Sequence, residues 1–328
     1  MKKLLSAGLC LSMFLLAGCQ GQPQDTTLTI TDQAGREVTF EELCQTAASG
    51  YYITTTIMIG LQQQDKLTGI EMKPETRPIY AKAAEEILAL PQLGNKKMFN
   101  VEECAKSDPD VVFLPVSLES YVEELEALDI PVVLLEPETA DDFEEAVEII
   151  GKVMGCEDKV DEYKQYEEDL LEKYELDEVE EEPTVYFAGS DLLTCATDDM
   201  YQGEILSYAQ ADNAIDAEGS SWVNIDIETL LAANPDYVFI EAGSLSADDF
   251  KNDARVQELK AVQNDHVYVF PSTLETWDTP SLSSCLGKLW AASILHPELV
   301  SMDDVEAEAV AFYEQFYGFT PEAQDLAL

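Results

Sequence analysis

Positive charge is scarce in this 328-residue chain: 18 Lys and Arg stand against 66 Asp and Glu, a formal net charge of −48. Such a surface repels phosphate backbones and anionic head groups, which excludes nucleic acid and direct protein–membrane contact as partnerships. Histidine is rarer still. The two present, His266 and His296, lie outside the loops nominated below, which disfavours a three-histidine zinc or manganese centre and histidine-ligated haem. No metal site built from protein side chains is expected. After Cys10 and Cys19, five cysteines are left, Cys44, Cys104, Cys156, Cys195 and Cys285. Their number is odd and no CxxC pair occurs, so buried thiols acting as small hydrophobes are expected in place of a disulfide framework. The chain also lacks a GxSxG elbow, an HExxH pair and a glycine-rich phosphate loop, which argues against an enzyme and its resident cofactor.

Long apolar runs are missing as well. The head, MKKLLSAGLCLSMFLLAGCQG, carries Lys2 and Lys3, then an apolar run from Leu4 to Leu16 that is too short for an ordinary membrane span. That is the layout of a secretion signal. Its end, LAGC at Leu16 to Cys19, resembles the lipobox of bacterial lipoproteins, which implies that Cys19 is diacylated and becomes the new N-terminus. Residues 1–19 are therefore read as a leader ending at the lipid anchor, and the polar residues 20–26 as a tether. The expected location is the outer face of the cytoplasmic membrane, or the periplasm, with lipid as the only membrane contact.

What the chain does contain is a repeated sentence. Residues 100–114 read NVEECAKSDPDVVFL and residues 226–240 read DIETLLAANPDYVFI. Each copy opens on a helix N-cap residue, Asn100 or Asp226, with a carboxylate two positions on, Glu102 or Glu228. Each helix is stopped at Asp108-Pro109 or Asn234-Pro235, because the residue before proline is pushed out of the right-handed helical region. A β-branched and aromatic run follows, Val111–Leu114 or Tyr237–Ile240, with the composition of a strand buried on both faces.

Between the copies, Phe143, Val147, Ile150 and Met154 fall at helical spacing, Gly155 suits a helix end, and a second series follows at Val160, Tyr163, Tyr166, Leu170 and Tyr174. The spacing predicts two helices that carry the chain from one half to the other. The fold class expected is α/β, two lobes with mostly parallel sheets joined by a single long linker helix. Residues 27–155 form the first lobe, 156–182 the linker and 183–328 the second lobe. Further strands are expected near 51–54, 67–71, 132–135, 185–188 and 267–270. Helices are expected near 57–64, 118–128, 201–209, 254–262, 281–295 and 305–316.

In order, TLTITDQAGREVTF, GYYITTTIMIGLQQQDKLTGIE, the first repeat, the linking helix, GEILSYAQADNA, the second repeat and VQELKAVQNDHVYVFP resemble the substrate-binding proteins of ABC importers for iron complexes, haem and cobalamin. The likeness runs from about Thr27 to His296. It implies a ligand held between two lobes, and partnership with an ABC permease dimer and its ATPase subunits. Glu102 and Glu228 match the acidic residues that this family presents, one per lobe, to arginines of the permease. It departs from the family at Thr55-Thr56, where relatives often carry Thr-Glu.

Ligands of open α/β sheets sit at the carboxyl ends of the strands, so the loops there nominate contacts. They are Tyr51, Tyr52, Thr54 and Thr55; Ser117 and Tyr121; Asp191; Trp222; and Glu275 and Trp277. Of the three arginines, Arg77 in KPETRPIY is the one placed to enter the cleft, beside Tyr80. Several siderophore binders of this family use more than one arginine. A neutral or cationic ferric siderophore or a corrinoid therefore suits this acidic chain better than a tri-anionic catecholate. Haem, ligated by Tyr51, Tyr52 or Met58, is a further alternative. A different class, an enzyme or a sensor or adhesin on the same two-lobed fold, stays open at this level.

Overall fold

The structure is a computed structural model that describes residues 27–176, 179, 182–217, 219 and 221–328; the leader, Cys19 and the tether lie outside the described residues. An antiparallel hairpin, Leu28–Thr31 with Glu37–Phe40, opens the chain. The first sheet is wholly parallel, in the order Leu67–Gly69, Ala47–Ser49, Val111–Pro115, Val132–Leu135. The second runs Val223–Asn224, Thr194–Cys195, Thr184–Ala188, Tyr237–Ile240, Val267–Val269, with Asp212–Asn213 also pairing to Thr184–Ala188. Its central pairs are parallel, and the two-residue strand at Thr194 is antiparallel.

The two repeats occupy equivalent places in separate sheets. Asn100 and Asp226 cap their helices by accepting from the backbone N–H of Glu103 and Thr229, at 3.0 and 2.8 Å. Both helices, Val101–Ser107 and Ile227–Ala233, end on a left-handed residue, Asp108 (φ 53°) or Asn234 (φ 44°). The residue before each proline thus leaves the helix by the left-handed route that Asp and Asn tolerate best. Each following strand lies inside its sheet, and Val111 to Leu114 are fully buried. The start of each is tied to its neighbour alike: the Asp110 carboxylate accepts from the N–H groups of Gln45 and Thr46, and Asp236 from the N–H and hydroxyl of Thr184.

Helices Ala140–Met154 and Glu157–Lys173 follow one another across a left-handed Gly155 (φ 63°) and connect the sheets. The helical part of the connector ends at Lys173. One hydrophobic cluster runs through both halves, taking in Ile57, Ile150, Phe187 and Phe312. The halves also meet directly. Ile79 N–H donates to Leu274 O at 3.3 Å, Gln62 Nε2 to Gln315 O at 3.0 Å, and Lys82 pairs with Asp325 at 2.9 Å.

Two expected elements differ. The strand expected near 51–54 is the helix Tyr52–Gly60, and the strand is the small-residue run Ala47–Ser49 before it. That helix is buried from Ile53 to Gly60, so no polar face marks it, and β-branched residues that favour strands are overruled by packing. The helix expected near 254–262 is reduced to Lys260–Gln263, with turns over 254–259 and a separate short helix, Ala247–Asn252, before them. Between the two helices Asp253 folds back to accept from the Arg255 N–H and guanidinium.

Candidate ligand-binding cleft

A cavity of about 600 Å³ opens between the halves. One wall comes from the N-terminus of helix Tyr52–Gly60 and from residues 76–79; the other comes from 242–243 and 269–281, after strands Tyr237–Ile240 and Val267–Val269. The cleft therefore lies at the carboxyl ends of the central strands, where open α/β sheets hold ligands.

Of the nominated residues, Tyr52, Arg77 and Glu275 line it. The Arg77 guanidinium stands 4.2 Å from the centroid of the Tyr52 ring, a cation–π contact between two residues that both line the cavity. Burial pushes the Tyr52 phenol up to about 12, with Arg77 acting in the opposite sense and Glu138, Asp278 and Glu241 reinforcing the rise. Across the cleft, Tyr317 donates to Glu275 Oε1 at 2.7 Å. Burial raises the carboxyls of Glu275 and Glu241, and takes that of Asp278 up to about 7. Ser272, Thr276 and Thr279 add hydroxyls to this wall.

Other nominated residues stand behind or away from the cleft. Tyr51 is buried, donates to Glu138 at 2.9 Å and carries Lys96 over its ring. Thr54 is buried with its hydroxyl unpartnered. Thr55 and Tyr80 each donate at 2.7 Å to the buried Glu71 carboxylate, and Tyr80 reaches Tyr52 O at 3.4 Å. Glu71 thus ties Thr55, in the helix of Tyr52, to Tyr80 behind the cleft wall. The sequence reading missed it because an acid after a strand looks like surface.

Trp277 faces inward: it is fully buried and donates through Nε1 to Tyr313 at 3.1 Å. Trp222 is half-buried at the carboxyl end of strand Thr184–Ala188, so close over Gly189 that a Cβ there would come within 2.6 Å of the indole. Asp191 is exposed and accepts from Leu193 N–H. Ser117 donates to Lys96 O, and Tyr121 lies edge-on to Phe99 in a separate recess that also holds Glu102. Glu102 and Glu228 are exposed, Glu102 pairing with Lys106 at 2.9 Å. Met58 is wholly buried, out of reach of a ligand. Both histidines are bonded to backbone carbonyls, His266 to Asp236 and His296 to Ala209. All five described cysteines are buried and unpaired, and among the described residues no helix is long and apolar enough to cross a membrane.

Comparison with known proteins agrees with this fold. The chain is 23% identical over 317 residues to the molybdate-binding protein MolA of Haemophilus influenzae, covering 88% of this chain and 90% of that one. The structure of MolA bound to molybdate superposes with a TM-score of 0.77 at 21% identity, covering 90% and 99%. A periplasmic solute binding protein from Veillonella parvula gives 0.78 at 21% identity, covering 92% and 97%. CeuE of Helicobacter pylori, described with a nickel–histidine complex, gives 0.72 at 19% identity, covering 91% and 97%. These relatives are substrate-binding proteins, not enzymes. The family model described as periplasmic binding protein (Peripla_BP_2) matches residues 48–274, which take in the repeats, the first wall of the cleft and the second as far as Leu274, so this chain belongs to the periplasmic binding protein family.

Proposed function

We propose that this protein is the extracytoplasmic receptor of an ABC importer, lipid-anchored through Cys19, that captures a compact metal complex of the ferric-siderophore type between its two lobes and delivers it to the permease. The observation that carries the reading is the cleft itself. Its roughly 600 Å³ falls within the usual range for small-molecule sites. It offers one aromatic face at Tyr52, one free guanidinium at Arg77 and a hydroxyl-rich opposite wall, which suits a chelate with oxygen acceptors on its surface. On this reading the lobes are 27–155 and 183–328, Glu102 and Glu228 dock to the permease, Tyr52, Arg77 and Glu275 touch the ligand from the cavity wall, and Trp222 reaches it from outside that wall, over Gly189. A corrinoid or haem is the alternative, taken up by the same route.

A second reading, capture of an oxyanion, is supported by the likeness to a molybdate-binding protein and by Arg77, whose fork matches tetrahedral oxygens. Mass spectrometry of the protein purified from its host, with metal analysis and fluorescence titration against ferric hydroxamates, cobalamin, haem and molybdate, decides between them. A metal complex that co-purifies and rebinds one-to-one is the expected result. Binding of molybdate alone would replace the first reading with the second, and turnover of a bound compound would overturn both.

A further inference from the structure

Three arginines occur in the chain, and two have carboxylate partners. Arg36 pairs with Asp32 and Glu126, and Arg255 with Asp253. Arg77, in a protein with 66 acidic residues, makes no ion pair and no side-chain hydrogen bond among the described residues; the Tyr52 ring is the partner the structure gives it. Arg77 lines the cleft with its donors unfilled among the described residues.

The opposite wall is the mirror case. Glu275 lines the cleft, and while Oε1 is satisfied by Tyr317, its Oε2 is buried without a hydrogen-bond partner. Asp278 is fully buried behind this wall beside Thr276 and takes the Ala242 N–H on Oδ2 at 2.9 Å; its unpartnered Oδ1 is where the proton that burial favours resides, so the vacant acceptor on the cleft is Glu275 Oε2. Glu241 stands half-buried at the end of strand Tyr237–Ile240. None of the three forms an ion pair among the described residues. Ala242 and Gly243, which follow Glu241, and Thr276 and Thr279, which flank Asp278, line the cleft opposite Tyr52 and Arg77. A buried acceptor without a donor is costly, and a carboxyl group more so. Vacant donors on one wall and a vacant acceptor on the other ask for a ligand that completes both.

We propose that the cleft is bipolar: Arg77 receives acceptor oxygens of the ligand, and the Glu275 wall, backed by Asp278 and Glu241, receives its N–H or O–H donors. The ligand class is a metal complex bearing both kinds of group, as amino-acid chelates do, and an oxyanion with acceptors alone is the wrong class. This rests on the metal-complex reading above and narrows it.

Isothermal titration of the wild type, Arg77→Gln and Glu275→Gln with three probes tests it. Nickel(II) bis-histidine carries carboxylate oxygens and N–H groups, ferric tris(N-methylacetohydroxamate) is a metal complex with acceptors only, and molybdate is an acceptor-only anion. The nickel complex is expected to bind tightest, and Glu275→Gln to weaken it roughly tenfold, the size of one charge-assisted hydrogen bond, while not weakening the other two. Arg77→Gln weakens every probe that binds. Glutamine keeps an acceptor for Tyr317; should that variant melt early, Glu241→Gln, at a half-buried position, supplies the same lesion. If the ferric complex binds as tightly as the nickel complex and neither carboxyl variant matters, the bipolar cleft is wrong and the metal-complex reading stands. If molybdate alone binds, or no probe does, both fall.

Discussion

Arg77 and Tyr52 belong to different elements, yet the guanidinium carbon lies 4.2 Å from the ring centroid, and Tyr80, which donates to the buried Glu71, also reaches Tyr52 O at 3.4 Å. The contact restrains the guanidinium, and with it the direction of its paired N–H groups. Lysine would keep the charge but lose both the plane and the fork. Arg77→Lys is expected to lower ligand affinity by about tenfold, the worth of roughly 1–2 kcal/mol of stacked, bidentate geometry. Because Arg77 is exposed, the melting temperature should not move. Calorimetry and a thermal melt on one preparation check both halves.

The tryptophans should divide by role. Trp277, packed in the core on Tyr313, is expected to cost about 3–5 kcal/mol of stability on truncation to alanine, read from denaturant unfolding. Trp222 is half-exposed near the cleft, so Trp222→Ala should leave stability nearly intact, weaken binding severalfold and remove the ligand-induced fluorescence change. A full fluorescence response in the Trp222 variant would place the ligand elsewhere.

Asp278 gives stability a pH dependence of known sign. Its ordinary value is 3.8 and burial takes it up to about 7, so the folded protein holds a proton that the unfolded chain releases. The folded state is therefore favoured most below about pH 4, loses that advantage as pH rises, and carries the whole penalty above about 7. Asp278→Asn cannot ionise and still accepts from Ala242. The melting temperature of the variant minus that of the wild type should rise between pH 4 and 7 and level off above. A difference that is flat across this window would mean that Asp278 is not held neutral.

Burial also pushes the Cys44 and Cys104 thiols up to about 12 and those of Cys156 and Cys195 up to about 11. Thiolate is the reactive form, so these positions should resist a disulfide reagent at pH 8 and react once the chain is unfolded. Counting thiols with and without denaturant measures this.

How legible these features were depends on whether the signal was local. The repeated strands were readable because burial on both faces writes an unbroken apolar run, and because Asp108-Pro109 and Asn234-Pro235 mark the helix ends. Helix Tyr52–Gly60 was hidden because it is buried nearly all round and rich in β-branched residues, which gives the composition of a strand. The loop around 275–277 lies beside the cleft, but a loop does not say which way each side chain turns: Glu275 and Thr276 line the cleft while Trp277 enters the core. Glu71 gave no signal because its two hydroxyl donors lie 16 residues before and 9 after it, a pairing that only the tertiary fold creates.

The repeat leads to the last expectation. Glu102 and Glu228 occupy the same position in the first turn of two helices that are capped alike, ended alike and set against equivalent strands of separate sheets. A carboxylate there is favourable to the helix dipole, a gain of a few tenths of a kcal/mol at an exposed site. If that were its whole role, Glu102→Lys with Glu228→Lys would cost roughly 1 kcal/mol in stability and change nothing else. On the docking reading, reversal places two cations where the permease offers arginines, and like charges at an interface cost several kcal/mol and slow encounter. The double variant is expected to bind ligand as the wild type does, because neither residue lines the cleft, and to lose import in cells. Each single reversal should give an intermediate loss, and reversal of the permease arginines to glutamate should restore part of it. Unchanged uptake by the double variant would leave the two glutamates as helix caps only.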